Sequence, residues 1–197
     1  TKVELTASDR VAFHRYTFPK DAEKHVMINL KDANGDDRPT NTYLEQMNDT
    51  VIRGYRHSTG WSKKQQIYFT AVFSQPIHLA LYHDSVQVAG NHLQGLDVKG
   101  NVSIVSTKEE LCVKVGISPV SMDNAMGNIQ QEIKNWDFEK IVEETTKKWN
   151  TELSKLQVET NNVAAKRVFY TALYHAFMQP IMFNDYNKEY RGTDKSI

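Results

Sequence analysis

The sequence predicts an α+β fold in which an antiparallel β-sandwich comes first and helices follow. Two patterns carry this prediction. Up to about residue 118, short runs alternate apolar and polar side chains between turn residues, the period-two signature of strands with one buried face. After Pro119 the apolar residues recur every three or four positions, which is the helical period. Composition agrees: 197 residues, 40% hydrophobic and 24% charged with few Gly and Pro, suit one globular domain or two small ones.

The elements follow in order. "VELTA" and "VAFHRYTF" flank Ser8-Asp9-Arg10 and read as a hairpin. "HVMINL" is a further strand, and "DANGDDRPTN" is a loop with Asn34-Gly35 as its turn signal. "TVIRGYRHS", "QIYFTAVF", "IHLALYH", "VSIVS" and "LCVKVGIS" complete seven or eight strands, while "GLDVKGN" reads as a turn-rich loop. Ser121 then caps a helix whose Met122, Ala125, Met126, Ile129 and Ile133 share one face. Asp137 caps a second helix carrying Phe138, Ile141, Val142, Thr145, Trp149, Leu153 and Leu156, with Trp149 expected to be buried. Its other face places Glu143 before Lys147 and Glu144 before Lys148, the favourable order for i,i+4 pairs. "QVET" reads as extended. A third helix starts near Asn161 or Asn162 and ends before Pro180. From Val168 to Met178, nine of its eleven residues are apolar or aromatic, so it is expected to be buried on several sides.

The totals exclude several classes. Lys+Arg and Asp+Glu are both 24, so the chain lacks the basic footprint of a nucleic-acid binder. No apolar run approaches the roughly 18 residues of a membrane span. The single cysteine, Cys112, forms no intrachain disulfide and reads as a buried, inert thiol. The chain starts at Thr1 without Met or signal peptide and reads as a processed or excised piece.

Candidate chemistry is sparse. The seven histidines form no H-x-x-x-H pair or Cys/His cluster, and His78 and His83 point to opposite faces of a strand. His175 reads as a hydrogen-bonded core histidine. No G-x-S-x-G, P-loop or dinucleotide fingerprint occurs, and "NDT" and "NVS" are glycosylation sequons only in form. Glycoside hydrolysis needs two carboxylates across a sugar, and no such pair is legible. Trp61 in "RHSTGWSKK" reads as a packed tryptophan at the sandwich edge, with a sugar-stacking platform as the alternative. A stand-alone carbohydrate-binding sandwich would need Trp61, Tyr55 and Tyr82 on one exposed face.

Four stretches carry a family resemblance: "GYRHSTGW...IYFTAVFSQP", "VKVGISPVSMDNAMGNIQQEI", "WDFEKIVEETTKKWNTELSKLQVET" and "FYTALYHAFMQPIMFNDYNKEYRGTD". Together they resemble glycoside hydrolase family 92, exo-acting bacterial α-mannosidases that are often α-1,2-specific. The resemblance implies an N-terminal sandwich, here residues 1–118, a helical linker over 119–160, and the first helix of a catalytic (α/α)6 barrel from 161. It implies an exported protein, periplasmic or at the cell surface. The parent enzyme would use calcium and invert configuration on mannose-containing oligosaccharides. Its catalytic acid, base and calcium ligands have no counterparts in this sequence, so the 197 residues are expected to be a scaffold, inactive alone and without bound calcium. Only "EYRGTD" falls near the pocket: Asp194 can contact a sugar hydroxyl with Tyr190 or Arg191 in support, or the stretch is a structural loop. Without further barrel helices, residues 161–179 are expected to keep an apolar patch, to self-associate or to fray.

Overall fold

The computed structural model describes residues 1–197. Eleven strands precede three helices. The strands are β1 (Lys2–Ala7), β2 (Val11–Thr17), β3 (His25–Asn29), β4 (Arg38–Asn48), β5 (Val51–Thr59) and β6 (Gln65–Phe73). They continue with β7 (Ile77–His83), β8 (Val86–Val88), β9 (His92–Gly95), β10 (Val98–Ile104) and β11 (Glu110–Ser118). The helices are α1 (Met122–Glu132), α2 (Phe138–Leu153) and α3 (Val163–Ala176).

The strands form two antiparallel sheets, one of seven strands in the order β1-β2-β11-β6-β5-β4-β9 and one of four in the order β3-β10-β7-β8. Facing side chains fill the space between them: Leu44, Ile52, Ala71, Phe73 and Val113 from the large sheet meet Leu79, Leu81, Val98 and Val102 from the small one. The outer face of the large sheet carries a second core. There Val11, Phe13 and Cys112 pack under Ile129, Ile133, Phe138 and Ile141 of the helical region. Burial pushes the Cys112 thiol pKa up, as an inert thiol requires.

The first hairpin forms as expected, with Leu5 opposite His14. Three strands escape the sequence pattern. β4 is largely polar and buries only Thr42 and Leu44, so its alternation is weak. Gln46 in β4 satisfies backbone across the sandwich instead, accepting from Leu79 N at 2.8 Å and donating to Ile77 O at 3.1 Å. β8 and β9 are short. "GLDVKGN", read as a loop, supplies the end of β9 and the start of β10.

Helix starts are local events, and all three follow the capping rule. Ser121 accepts from Asn124 N, Asp137 from Lys140 N and Asn162 from Ala165 N. The predicted face of α1 is correct: Ala125, Ile129 and Ile133 are buried, and Met122 and Met126 half-buried. The helix lies close to the sheet because Gly116 opposes it; a Cβ there would sit 2.2 Å from Ala125 O. On the charged face of α2 the pairing differs from the expected one. Lys140 lies 3.9 Å from Glu144, while Lys148 reaches Asp9 in the β1–β2 turn.

The last helix departs most from expectation. Leu173 is its only buried residue, whereas Val168, Tyr174 and Phe177 are exposed. His175 is exposed, not a core histidine, because nothing packs over that side of α3. Trp149 is half-buried and touches Tyr174 with ring centroids 4.5 Å apart, so it seals a seam and not a core. The expected apolar patch is present, and it continues through Met178, Ile181, Met182 and Phe183.

Candidate functional site

Beyond α3 the chain returns across the outer face of the large sheet. A buried carboxylate fixes the return. Asp185 accepts from Ser118 Oγ at 2.6 Å, Asn124 Nδ2 at 2.9 Å and Asn128 Nδ2 at 2.8 Å. Asn128 in turn accepts from Tyr186 N at 2.9 Å. Glu132, at the end of α1, receives Arg10 at 2.7 Å, and Arg10 Nε donates to Asn184 O at 2.6 Å. Gly127 leaves room for Tyr186: a Cβ would lie 2.2 Å from its ring. These contacts join the C-terminal stretch to the β11–α1 corner.

They also set the position of "EYRGTD". Arg191 donates to Pro119 O at 2.9 Å, Val120 O at 3.1 Å and Lys195 O at 3.3 Å. The loop thereby forms one wall of a cleft of about 1080 Å³, whose other wall is the β5–β6 hairpin. Hydroxyl and amide groups dominate this lining, with Ile67 and Phe183 the only hydrophobic side chains. His57 projects from β5 in a row of rings, stacked on Tyr55 at 4.4 Å and edge-on to Tyr68 at 5.5 Å. Its pKa is lowered by burial first and by the Arg191 charge second, both of which favour the neutral imidazole.

The three residues anticipated as sugar contacts fall in different places. Arg191 lines the cleft, whereas Tyr190 and Asp194 do not. Tyr190 is exposed. Asp194 accepts from Ser196 N at 3.1 Å and Ser196 Oγ at 2.8 Å, which lowers its carboxyl pKa. Trp61, read as a packed edge residue, is fully exposed on the β5–β6 loop. Trp61, Tyr55 and Tyr82 do not share a face: Tyr55 is on the large sheet, Tyr82 on the small sheet, and Trp61 between strands. Lys63, Lys64 and His57 were missed as cleft residues. The "SKKQQ" run after Trp61 was their only visible signal, and its facing loop lies far along the chain.

The cleft has no Asp or Glu in its lining. No three His, Cys, Asp or Glu side chains converge to hold a metal ion, so the residues present do not fit the calcium that the resemblance implies.

Comparison with known proteins places this geometry. Residues 1–118 match the glycosyl hydrolase family 92 N-terminal domain and residues 124–197 the family's catalytic domain. The fold is similar to that of a family GH92 α-mannosidase from Bacteroides thetaiotaomicron, with a TM-score of 0.91 and 28% identity over 98% of this chain and 27% of that one. The same enzyme is known in complex with mannoimidazole. An inverting family GH92 mannosidase from the same bacterium shares the fold, with a TM-score of 0.82 and 19% identity over 95% of this chain and 26% of that one. An uncharacterized secreted glycosidase from Arthroderma benhamiae is 31% identical over 80 residues, 39% of this chain and 10% of that protein. The chain therefore spans 27% or less of the length of these relatives. No helix is long and apolar enough to cross a membrane. On the match along its two consecutive domains, the chain belongs to glycoside hydrolase family 92.

Proposed function

We propose that these residues are the sandwich and domain junction of an exported, inverting exo-α-mannosidase that trims α-1,2-linked mannose from high-mannose glycans or mannan. The supporting observation is the cleft at the "EYRGTD" loop, polar and rich in hydroxyl groups, in a chain that is similar over 98% of its length to an α-mannosidase. In this reading residues 1–118 are the sandwich, 119–160 the linker, and α3 begins a catalytic (α/α)6 barrel whose other helices cover its apolar face.

The 197 residues alone are inactive in this reading. Inverting hydrolysis needs one carboxylic acid to protonate the leaving oxygen and one carboxylate to activate water on the opposite face. The cleft lining supplies neither. Calcium dependence, which the resemblance implies, belongs to the longer enzyme. The sandwich wall and Arg191 hold the sugar side of the cleft in shape.

Mannose release from α-1,2-mannobiose tests this reading, with the chain alone and with a protein of the full family length. The longer protein should release mannose with the β-anomer appearing first, and the chain alone should release none. Release by the 197 residues would overturn the scaffold role. No release by the longer protein from any α-mannoside would overturn the mannosidase reading.

A further inference from the structure

The connection between β3 and β4 is fixed at its ends and untied in its middle. Residues 31–36 are all exposed. A single guanidinium holds both ends: Arg56 Nε donates to Leu30 O at 3.0 Å, and Arg56 Nη1 pairs with Asp37. The amides of Lys31 and Asp32 donate to Asn29 Oδ1 at 3.0 and 3.2 Å. Beyond them, the backbone N–H groups of Ala33, Asn34, Gly35 and Asp36 donate to no other backbone group.

The middle of this loop is Asn34-Gly35, and no other asparagine of the chain is followed by glycine. Asn34 is exposed, and nothing lies within 4 Å of the point where a Gly35 Cβ would stand. The Gly35 amide nitrogen is therefore open to the carboxamide carbon beside it. Other asparagines are held. Asn29 Nδ2 donates to Asp32 at 2.7 Å while its oxygen accepts two amides, and Leu30 behind it is buried. Asn48 Oδ1 accepts from Thr50 N at 2.9 Å, and Asn128 is fully buried.

We propose that Asn34 is a site of spontaneous covalent modification in the folded chain, through a succinimide that water opens to aspartate and isoaspartate. Hydroxide takes the Gly35 amide proton, and the nitrogen attacks Asn34 Cγ. The Cγ–Nδ2 bond breaks, and ammonia leaves with a proton from water. Water then splits the ring. Breaking the bond from Gly35 N to Cγ gives aspartate, and breaking the bond from Gly35 N to the Asn34 carbonyl carbon gives isoaspartate. Either product places a new carboxylate between Asp32 and Asp36 and turns a chain of zero formal charge into a negative one. The fold is kept, because Arg56 holds both ends of the loop and the change lies in solvent between them. This chemistry is independent of the mannoside reading.

The test is incubation of the 197-residue chain at mildly alkaline pH, folded and in parallel in urea, followed by peptide mapping with mass spectrometry. In the folded chain Asn34 should convert within about threefold of its rate in urea, because a loop that costs nothing to open behaves like unfolded chain. Both aspartate and isoaspartate should appear at position 34. Asn29, Asn48 and Asn128 should stay intact over the same time while the chain is folded. Asn34→Gln should remove the modification, since the longer side chain must close a larger ring, and circular dichroism should be the same before and after conversion. Conversion in urea but not in the folded chain would overturn the proposal, because the loop would then be held. Faster conversion at another asparagine of the folded chain, or loss of the folded signal in step with conversion, would overturn it as well. Aspartate without isoaspartate would exclude the succinimide.

Discussion

α1 and α3 invert the usual relation between sequence and burial. α1, "MDNAMGNIQQE", is a polar helix, yet Ala125, Gly127, Asn128 and Ile129 are buried. α3, "VAAKRVFYTALYHA", is far more apolar and buries Leu173 alone. The difference lies in what each helix meets. α1 meets the large sheet where Gly116 leaves room, and a returning chain whose Asp185 satisfies its asparagines. α3 meets the end of α2 through Trp149 and Tyr174, and Tyr170 Oη donates to Leu156 O just beyond it. Hydrophobicity states what a helix would gain by burial, and geometry decides whether a partner is within reach.

This contrast predicts where substitutions will hurt. Asp185→Ala should have one of the two largest effects. It strands the Ser118, Asn124 and Asn128 donors, and leaving buried donors unpaired should lower unfolding free energy by about 3 kcal/mol in urea melts. A loss under about 1 kcal/mol would show that the return segment is not held by this carboxylate. Ile129→Ala, which empties a site in the second core, should cost about 2–4 kcal/mol. Trp149→Ala should cost less, about 1–2 kcal/mol, because the ring is only half-buried at the α2–α3 seam. A loss near 4 kcal/mol would place Trp149 in a core and erase the contrast.

Paired Tyr174→Glu and Phe177→Glu changes should lower stability by about 1 kcal/mol, because Tyr174 is the other half of the seam that Trp149 closes. Their effect should appear in light scattering. The unsubstituted chain should self-associate through 161–179, and the double variant should be monomeric. A monomer in both cases would remove self-association from the account.

The smallest effect concerns pH. The folded pKa of His57 lies below 6.5, first through burial and then through Arg191. The native state therefore resists a proton that the unfolded state accepts. Stability present above pH 6.5 is lost as pH falls through the window between 6.5 and the lower folded pKa. Arg191→Gln should move the imidazole titration upward by NMR. An unchanged titration would show that the loop does not face His57.

The change from strand to helix near residue 119 and the caps Ser121, Asp137 and Asn162 were legible because they depend on neighbours a few residues away. β4 was hidden because its buried positions are Thr42 and Leu44, and polar groups such as Gln46 make its contacts. His175 and Trp149 were misread because apolar neighbours in sequence do not supply a packing partner in space. Arg191 came from the family resemblance and not from any local pattern. Asp185, His57 and Lys64 carried no signal of their own: each gains its meaning from residues brought to it by the return of the chain.

Hydrogen exchange on the dilute, monomeric chain tests the central contrast most directly, since it reads local opening helix by helix. The account predicts slow exchange in α1, close to that of global unfolding, and protection of the Asp185 amide, which donates to Glu189 O. The amides of α3 should exchange orders of magnitude faster, because little holds that helix to the remainder. Equal, strong protection of α1 and α3 in a monomer would contradict the account: α3 would then have a complete packing surface within these residues, and the case for a missing barrel partner would fall.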